Sequence, residues 1–367
     1  MTATTGQPLG FTKADFVLEG GGVRGIALVG ALLAFEQRGI GSHRIAGVSA
    51  GAVVGALVAA GIPLTALGDA YVQDYRSLLD GTWLRRLPIP VFNKWASIYF
   101  LKGQFKGKAL RRWIGDRLGD AQLLHGKPPL RTWGQLRFDD PGADPHLVIN
   151  GELVTVRDQY HLVVVSNDVT RGPMMRFPWD YPYWYGVDPD SQSVADVVYW
   201  SAAVPGFFLP GKLTSDFTNQ TSNMVDGGLS NGFPVDIFDR HDGLPPRWPT
   251  FYIGLQTRRD PHQPVKHPDR SGLSYWTEQV LWSAIDGRNT TELADPERRS
   301  REVLVPANEV DPLDFGISRQ RQEALFQLGA ETANRFLDTF SWQAYLEQAK
   351  ARPIWSGPPT RTPPAPG

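Results

Sequence analysis

The stretch Gly47-Val48-Ser49-Ala50-Gly51 constrains this chain more than any other. It follows a short apolar run (Ile45, Ala46, Val48) and leads into an Ala-, Val- and Leu-rich segment from Ala52 to Ala60. The pattern predicts a strand, a sharp turn and a helix, with a serine at the apex and a glycine two residues to each side. A Gly-x-Ser-x-Gly turn in that setting is a nucleophile elbow. Its serine takes a strained backbone conformation that lifts the hydroxyl clear of the sheet. The glycines remove side chains that would collide in so tight a bend. The hydroxyl and the first amides of the new helix then face one point, where the helix dipole favours developing negative charge. Taken alone, the pentapeptide also fits an inert strand-to-helix turn, because short motifs recur by accident.

The residues before the elbow extend the pattern. Ala14 to Glu19 predicts a first buried strand, which runs into Gly20-Gly21-Gly22-Val23-Arg24-Gly25. Ile26 to Arg38 predicts a helix, with Ile26, Val29, Leu32 and Leu33 on one apolar face. Arg44 to Val48 is the next strand, so the unit implies a right-handed crossover and parallel pairing. Gly20, Gly22 and Gly25 satisfy the dinucleotide pattern G-x-G-x-x-G, but that site needs an acidic residue at the end of the second strand. Gly41 to Ala50 contains no Asp or Glu, and the dinucleotide reading fails. The alternative is an oxyanion hole at Gly20, Gly21 and Gly22, whose bare amides can approach a tetrahedral intermediate beside the elbow. Arg24 is expected to hydrogen-bond the loop's backbone carbonyls or to meet a lipid phosphate. A solvated arginine at a helix start is disfavoured by the dipole.

Further along, Thr65 to Asp80 predicts a helix. Residues 81–136 read as a cap inserted over the sheet, with an aromatic and basic run from Trp83 to Leu101 and an amphipathic helix from Lys108 to Leu118. His146 to Ile149 and His161 to Ser166 are expected strands, joined by a hairpin or loop. Asn167 to Gly172 is an expected turn and Met174 to Phe177 a returning strand. Asp180 to Tyr185 reads as an aromatic loop, suited to packing, to an acyl entrance or to a membrane interface. Val194 to Ser201 predicts a helix, and Thr214 to Asn223 a polar loop. Met224-Val225-Asp226-Gly227-Gly228 is by default an Asp-Gly turn. Its other reading makes Asp226 a base held at a strand end. Thr250 to Leu255 and Val303 to Val305 are later strands, Tyr275 to Asp286 a helix, and Arg319 to Ala349 one or two amphipathic helices. Domain organisation follows: an N-terminal arm (1–13), one catalytic domain (14–350) with its cap, and a Pro-rich, disordered tail (351–367).

Composition narrows the classes of function. The 367 residues carry 37 basic and 38 acidic side chains, a net charge of −1, which argues against nucleic-acid binding. There is no cysteine, so disulfides, thiolate catalysis and Cys-based zinc sites are excluded. Met1 to Gly10 lacks a Sec-type signal pattern, and no stretch approaches the ~18 apolar residues of a membrane span. The expectation is a cytoplasmic protein whose membrane contact, if any, is peripheral.

Together these segments resemble the patatin-like phospholipases. The motifs that carry the resemblance are Gly20-Gly21-Gly22-Val23-Arg24-Gly25, Gly47-Val48-Ser49-Ala50-Gly51 and Asp226-Gly227-Gly228, in that order. Ser201 to Phe208 and Leu229 to Pro234 are also similar, and the likeness spans about Ala14 to Val235. It implies an α/β fold, three-layer α/β/α with a mainly parallel central sheet. It also implies a Ser–Asp dyad. Ser49 would attack an acyl ester while Asp226 takes its proton, and Gly20, Gly21, Gly22 and Ala50 would form the oxyanion hole. No metal or cofactor is needed, and the substrates would be phospholipids, lysophospholipids or other acyl esters. Two other enzyme readings remain. One is acyl transfer from the same intermediate; the other is a Ser–Asp–His triad using His241, His262 or His267. All three histidines lie in Pro- and charge-rich loops, and few strands precede the elbow for an α/β-hydrolase. A non-catalytic lipid-binding or docking scaffold is the reading from another class; it has no need of both Ser49 and Asp226.

Overall fold

The computed structural model describes residues 9–71, 75–81, 102–124, 126–144, 146–149, 152–155, 159–172, 174–229, 235–256, 299–350 and 352. The expected 275–286 helix, the aromatic run 82–101 of the cap, His262, His267 and the tail from 353 lie outside them. Among the described residues the central sheet has eight strands: β1 (Lys13–Leu18), β2 (Gly41–Val48), β3 (Leu162–Asp168), β4 (Met174–Phe177), β5 (Gly211–Thr214), β6 (Thr221–Asp226), β7 (Thr250–Leu255) and β8 (Glu302–Val305). Their order is β5-β6-β3-β2-β1-β7-β8, with β4 also paired to β3. β8, β7, β1, β2 and β3 run parallel, whereas β4, β5 and β6 add antiparallel partners. This is an α/β fold, a mainly parallel mixed sheet flanked by helices.

β3 shows why the sequence adopts this arrangement. All seven residues, Leu-Val-Val-Val-Ser-Asn-Asp, are buried, as a strand covered on both faces requires. The strand extends two residues past Ser166, where a turn was expected. Asn167 and Asp168 pair with β6, and Asn167 also with β4, so their backbone groups are taken up by the sheet.

In-register neighbours Phe251, Phe16, Ile45 and Leu162 share one face of the sheet. Helices α1 (Ile26–Gln37) and α2 (Ala50–Ala59) cover it. Phe35 stands edge-on to Phe16 with ring centroids 5.0 Å apart, and Gly55 faces Ile45. After α3 (Leu64–Tyr71) comes a short 3-10 turn, Tyr75–Leu78, in place of the single 65–80 helix expected. α4 (Lys108–Leu124) runs past its expected end at 118 and packs on α5 (Val194–Ser201). Residues 103–105, next to α4, pair with 206–208 just after α5. Residues 146–149 and 152–155 form the hairpin. Within the polar segment 214–223, residues 215–220 form the expected loop, while Thr214 closes β5 and residues 221–223 open β6, which pair antiparallel.

The expected helices near the C-terminus are α6 (Arg319–Thr339) and α7 (Trp342–Ala349). α6 explains a departure in α1, where one apolar face was expected. Instead every residue from Ile26 to Phe35 is buried, because the sheet covers one side and α6 the other. The two helices meet through Gly30 and Gly329. A Cβ on Gly329 would overlap the Ala27 carbonyl, and one on Gly30 the Phe326 carbonyl. Helix propensity alone says that Gly329→Ala should stabilise by about 1 kcal/mol. Packing says the opposite, because backbone cannot yield as a side-chain tip does. We expect Gly329→Ala to destabilise by about 1–3 kcal/mol, read as a lower midpoint in thermal or urea denaturation. An unchanged or raised midpoint would contradict this packing.

Among the described residues, no helix is long and apolar enough to cross a membrane.

Candidate active site

β2 ends at Val48 and α2 starts at Ala50, which leaves Ser49 alone in the turn between them, with φ 52° and ψ −121°. A positive φ on a residue with a side chain costs of order 1–3 kcal/mol and persists only where the surroundings impose it. Here they do so from both sides. The Ser49 carbonyl accepts the amides of Ala52 and Val53 at 3.0 and 3.2 Å. The Ser49 N–H donates to Ser201 Oγ at 2.9 Å. Gly51 lies so close to the carbonyls of Leu18 and Glu19 that any side chain there would lift α2 off the end of β1.

The glycine loop follows β1, whose Leu18 pairs with Gly47 of β2. Two residues on, Gly20 lies against the elbow: a Cβ there would sit 2.9 Å from Ser49 Cβ. Gly21 faces the tip of Leu255, and Gly22, with φ +56°, rests on the carbonyl of Pro312. The next amide, that of Val23, donates to Pro312 O at 3.0 Å. Arg24 is buried, and its backbone N–H and Nε donate to the Gly21 carbonyl at 3.1 and 3.3 Å. It braces the loop that precedes α1. Gly20 and the start of α2 therefore lie beside Ser49. First-turn amides of a helix have no acceptor within it, and their dipoles favour an anion.

Asp226 arrives from the other side of β3. Val48 pairs with Val165 and Asp226 with Ser166, so the two strands end on consecutive rungs of β3. Gly227 packs on Val48, where an added Cβ would lie 3.2 Å from Val48 Cγ2. Asp226 is buried, at 3% exposure. Its N–H donates to Ala203 O at 3.0 Å, its carbonyl accepts from Asn167 Nδ2 at 2.7 Å, and its Oδ1 accepts the Gly228 N–H at 2.7 Å. The backbone and one carboxylate oxygen are thus fixed.

Sequence reasoning did not single out Asn167 or Ser201 as individual residues. Asn167 had the appearance of a turn residue, and Ser201 that of an ordinary helix end. The available signal was a small polar side chain inside an apolar run, Val197-Val198-Tyr199-Trp200-Ser201-Ala202-Ala203, which a buried site must satisfy with a partner.

Of the histidine readings, only that of His241 falls on described residues, and it differs from Asp226 in place. His241 lies beside Asp144, whose Oδ2 accepts its backbone N–H at 2.6 Å. Asp144 lines a polar cleft with Asp15, Arg44, Asp239, Arg247 and Arg352, at the amino-terminal ends of β1 and β7. That cleft holds paired charges, such as Arg44 with Asp15 and Arg352 with Asp239. It sits at the end of the sheet opposite Ser49, whereas sites in parallel α/β sheets form at the carboxyl ends of the strands.

Of the aromatic cluster, Trp179, Tyr181 and Tyr185 are buried, while Tyr183 and Trp184 are half-buried. Residues 181–185 form a single wide helical turn where a loop was expected. Tyr185 donates to Asp168 Oδ2 at 2.8 Å, and burial pushes its hydroxyl pKa far up, so it remains a donor. These rings belong mostly to the core. Among the described residues, no group of three His, Cys, Asp or Glu could hold a metal ion.

Several known proteins are similar to this chain. VipD of Legionella pneumophila superposes with a TM-score of 0.47 at 17% identity, over 90% of this chain and 67% of VipD. A chain of the ExoU–SpcU complex of Pseudomonas aeruginosa gives 0.45 at 17% identity over 92% of this chain, which spans 52% of that one. YqhO of Bacillus subtilis, described as uncharacterised, is 29% identical over 331 residues, 89% of this chain and 99% of YqhO. A family profile described as Patatin-like phospholipase matches residues 16–239, which include the glycine loop, the elbow and Asp226. The chain belongs to the patatin-like phospholipase family.

Proposed function

We propose that this protein is a serine lipid acyl hydrolase of the phospholipase A or lysophospholipase type, working through a Ser49–Asp226 dyad. The observation that carries the reading is the register of β3. It ends β2 at Val48, just before the strained Ser49, and β6 at the buried Asp226 on consecutive rungs, with Gly20 of the glycine loop packed against Ser49.

The chemistry follows from those groups. Ser49 Oγ attacks the ester carbonyl while Asp226 accepts the hydroxyl proton. The amides of Gly21, Gly22 and Ala50, beside Gly20, hold the oxyanion, and Arg24 keeps the loop in place. Collapse of the tetrahedral species breaks the ester C–O bond, and Asp226 returns the proton to the leaving alcohol. Water then attacks the acyl-serine, Asp226 takes its proton, and Ser49 leaves with that proton as the fatty acid is released. Acyl transfer differs only in the second acceptor. The substrate is an acyl ester met at a lipid surface, so contact with membranes is peripheral.

The reading is tested by a fluorophosphonate probe and by mass spectrometry of fatty acid released from phosphatidylcholine and lysophosphatidylcholine vesicles. We expect covalent labelling at Ser49 and release of fatty acid, both absent in Ser49→Ala. Lipid binding without labelling or turnover would make the protein a scaffold. Transfer of the acyl group to an added alcohol in preference to water would make it an acyltransferase.

A further inference from the structure

Ser201, the last residue of α5, is wholly buried, and its hydroxyl bridges a backbone group of the elbow and one of β3. Its Oγ accepts the Ser49 N–H at 2.9 Å and donates to the Val165 carbonyl at 2.5 Å. The ladder between β2 and β3 gives this geometry its meaning. Ile45 N–H donates to the His161 carbonyl at 2.8 Å. In a parallel pair such bonds recur at every second residue. The same edge therefore offers Gly47 to Val163, and next Ser49 to Val165. The Ser201 hydroxyl is spliced into that last rung, between the donor and the acceptor that would otherwise meet.

We infer that Ser201 is a positioning residue for Ser49: its hydroxyl wedges the terminal rung open and holds the elbow in its strained conformation. With the wedge in place, the Ser49 amide has its partner while the backbone sits at φ 52°. Without it, two buried backbone groups lose their partner, and they can recover one by closing onto each other. Closure would complete the ladder, relax φ toward extended values and draw Ser49 Oγ back toward the sheet. The same segment also grips the proposed base, because the Ala203 carbonyl, two residues on, accepts the Asp226 N–H at 3.0 Å. Helix α5 thus ends in a clamp on both halves of the site. The kinetic consequence rests on the proposed hydrolase activity, whereas the structural one does not.

The test is Ser201→Ala in the full-length protein, compared with Ser201→Thr, which keeps the hydroxyl. We expect Ser201→Ala to lower kcat by about 10- to 100-fold, as small misplacements of a nucleophile do, with KM unchanged. The rate of fluorophosphonate labelling should fall by the same factor, and Ser201→Thr should restore most of it. A wild-type kcat in Ser201→Ala, even with a lower Tm, would reduce Ser201 to a packing residue and overturn the inference. If the wild-type protein neither labels nor turns over lipid, the hydrolase reading is what has failed, and a crystal structure of Ser201→Ala decides the wedge. Ser49 N–H bonded directly to Val165 O would support it. An unchanged φ at Ser49 with the rung still open would overturn it. Should Ser201→Ala not fold, Ser201→Cys carries the same measurements, because a thiol donates and accepts only weakly.

Discussion

Asp226→Asn is expected to be nearly as damaging as Ser49→Ala, lowering kcat/KM by about 10²- to 10⁴-fold, the usual worth of a positioned general base. Asparagine matches the shape of aspartate and keeps an oxygen for the Gly228 amide. It keeps the backbone bonds to Ala203 and Asn167 as well. What it lacks is the capacity to take a proton. The loss therefore reports the base alone, provided circular dichroism confirms the fold. Groups acting as one unit fail together, so Ser49→Ala with Asp226→Asn should be scarcely worse than either single change. In a triad the ranking would differ, with a histidine indispensable and the aspartate orienting it. His241 bonds Asp144 near the opposite end of the sheet, so His241→Ala should leave hydrolysis largely intact. The dyad mechanism itself expects the same of His262→Ala and His267→Ala. Activity should fall with decreasing pH as a carboxylate protonates, with no added step near about 6.5, where an imidazole titrates. A histidine variant as inactive as Ser49→Ala would end the dyad proposal.

Gly21→Ala is expected to lower kcat by about 10²- to 10³-fold, the cost of displacing an oxyanion donor, while Ser49 stays in a folded protein. The position suits the purpose better than Gly22. A methyl group on Gly21 meets the flexible tip of Leu255, whereas Gly22 has a positive φ and rests on the Pro312 carbonyl. Gly22→Ala would disturb the whole loop and mix a folding defect with a catalytic one. Leu255→Ala makes room for the added methyl, which allows a control. Recovery of kcat in Gly21→Ala/Leu255→Ala would show that the methyl had shifted the Gly21 amide through crowding. Near-normal kcat in Gly21→Ala itself would mean that the loop serves only the turn.

How far the sequence disclosed this site depended on the range of each interaction. Ser49 and the glycine loop were legible because strand, turn and helix are written within a few residues, and β3 because a strand buried on both faces needs a continuous apolar run. Asp226 was half legible. Asp-Gly reads as a turn, and only pairing with Ser166 across the sheet brings it beside the elbow. Ser201 was hidden for a stronger reason. Both its partners are backbone groups, at Ser49 and Val165, and backbone leaves no mark in the sequence. β5 and β6 were missed in part because they meet across a polar turn, and β5 alternates buried and exposed residues over only four positions. The double burial of α1 could not be read from its own pattern, since the helix that covers its outer side lies almost 300 residues away.

The rest of Gly22 on Pro312 bears on how the protein is made. The ribosome completes the elbow first, and Asp226 follows well before Pro312. The residue that seats the glycine loop comes later, and α6, which backs the helix after that loop, later still. At about 5–20 residues per second, a nascent chain would carry its nucleophile for many seconds before the loop gained its support. If Ser49 and Asp226 form the proposed dyad, a polypeptide interrupted before Pro312 would hold both without a seated oxyanion loop. Esterase activity would then arise only after Pro312 has been added, so fragments abandoned before that point would pose little threat to the lipids around them.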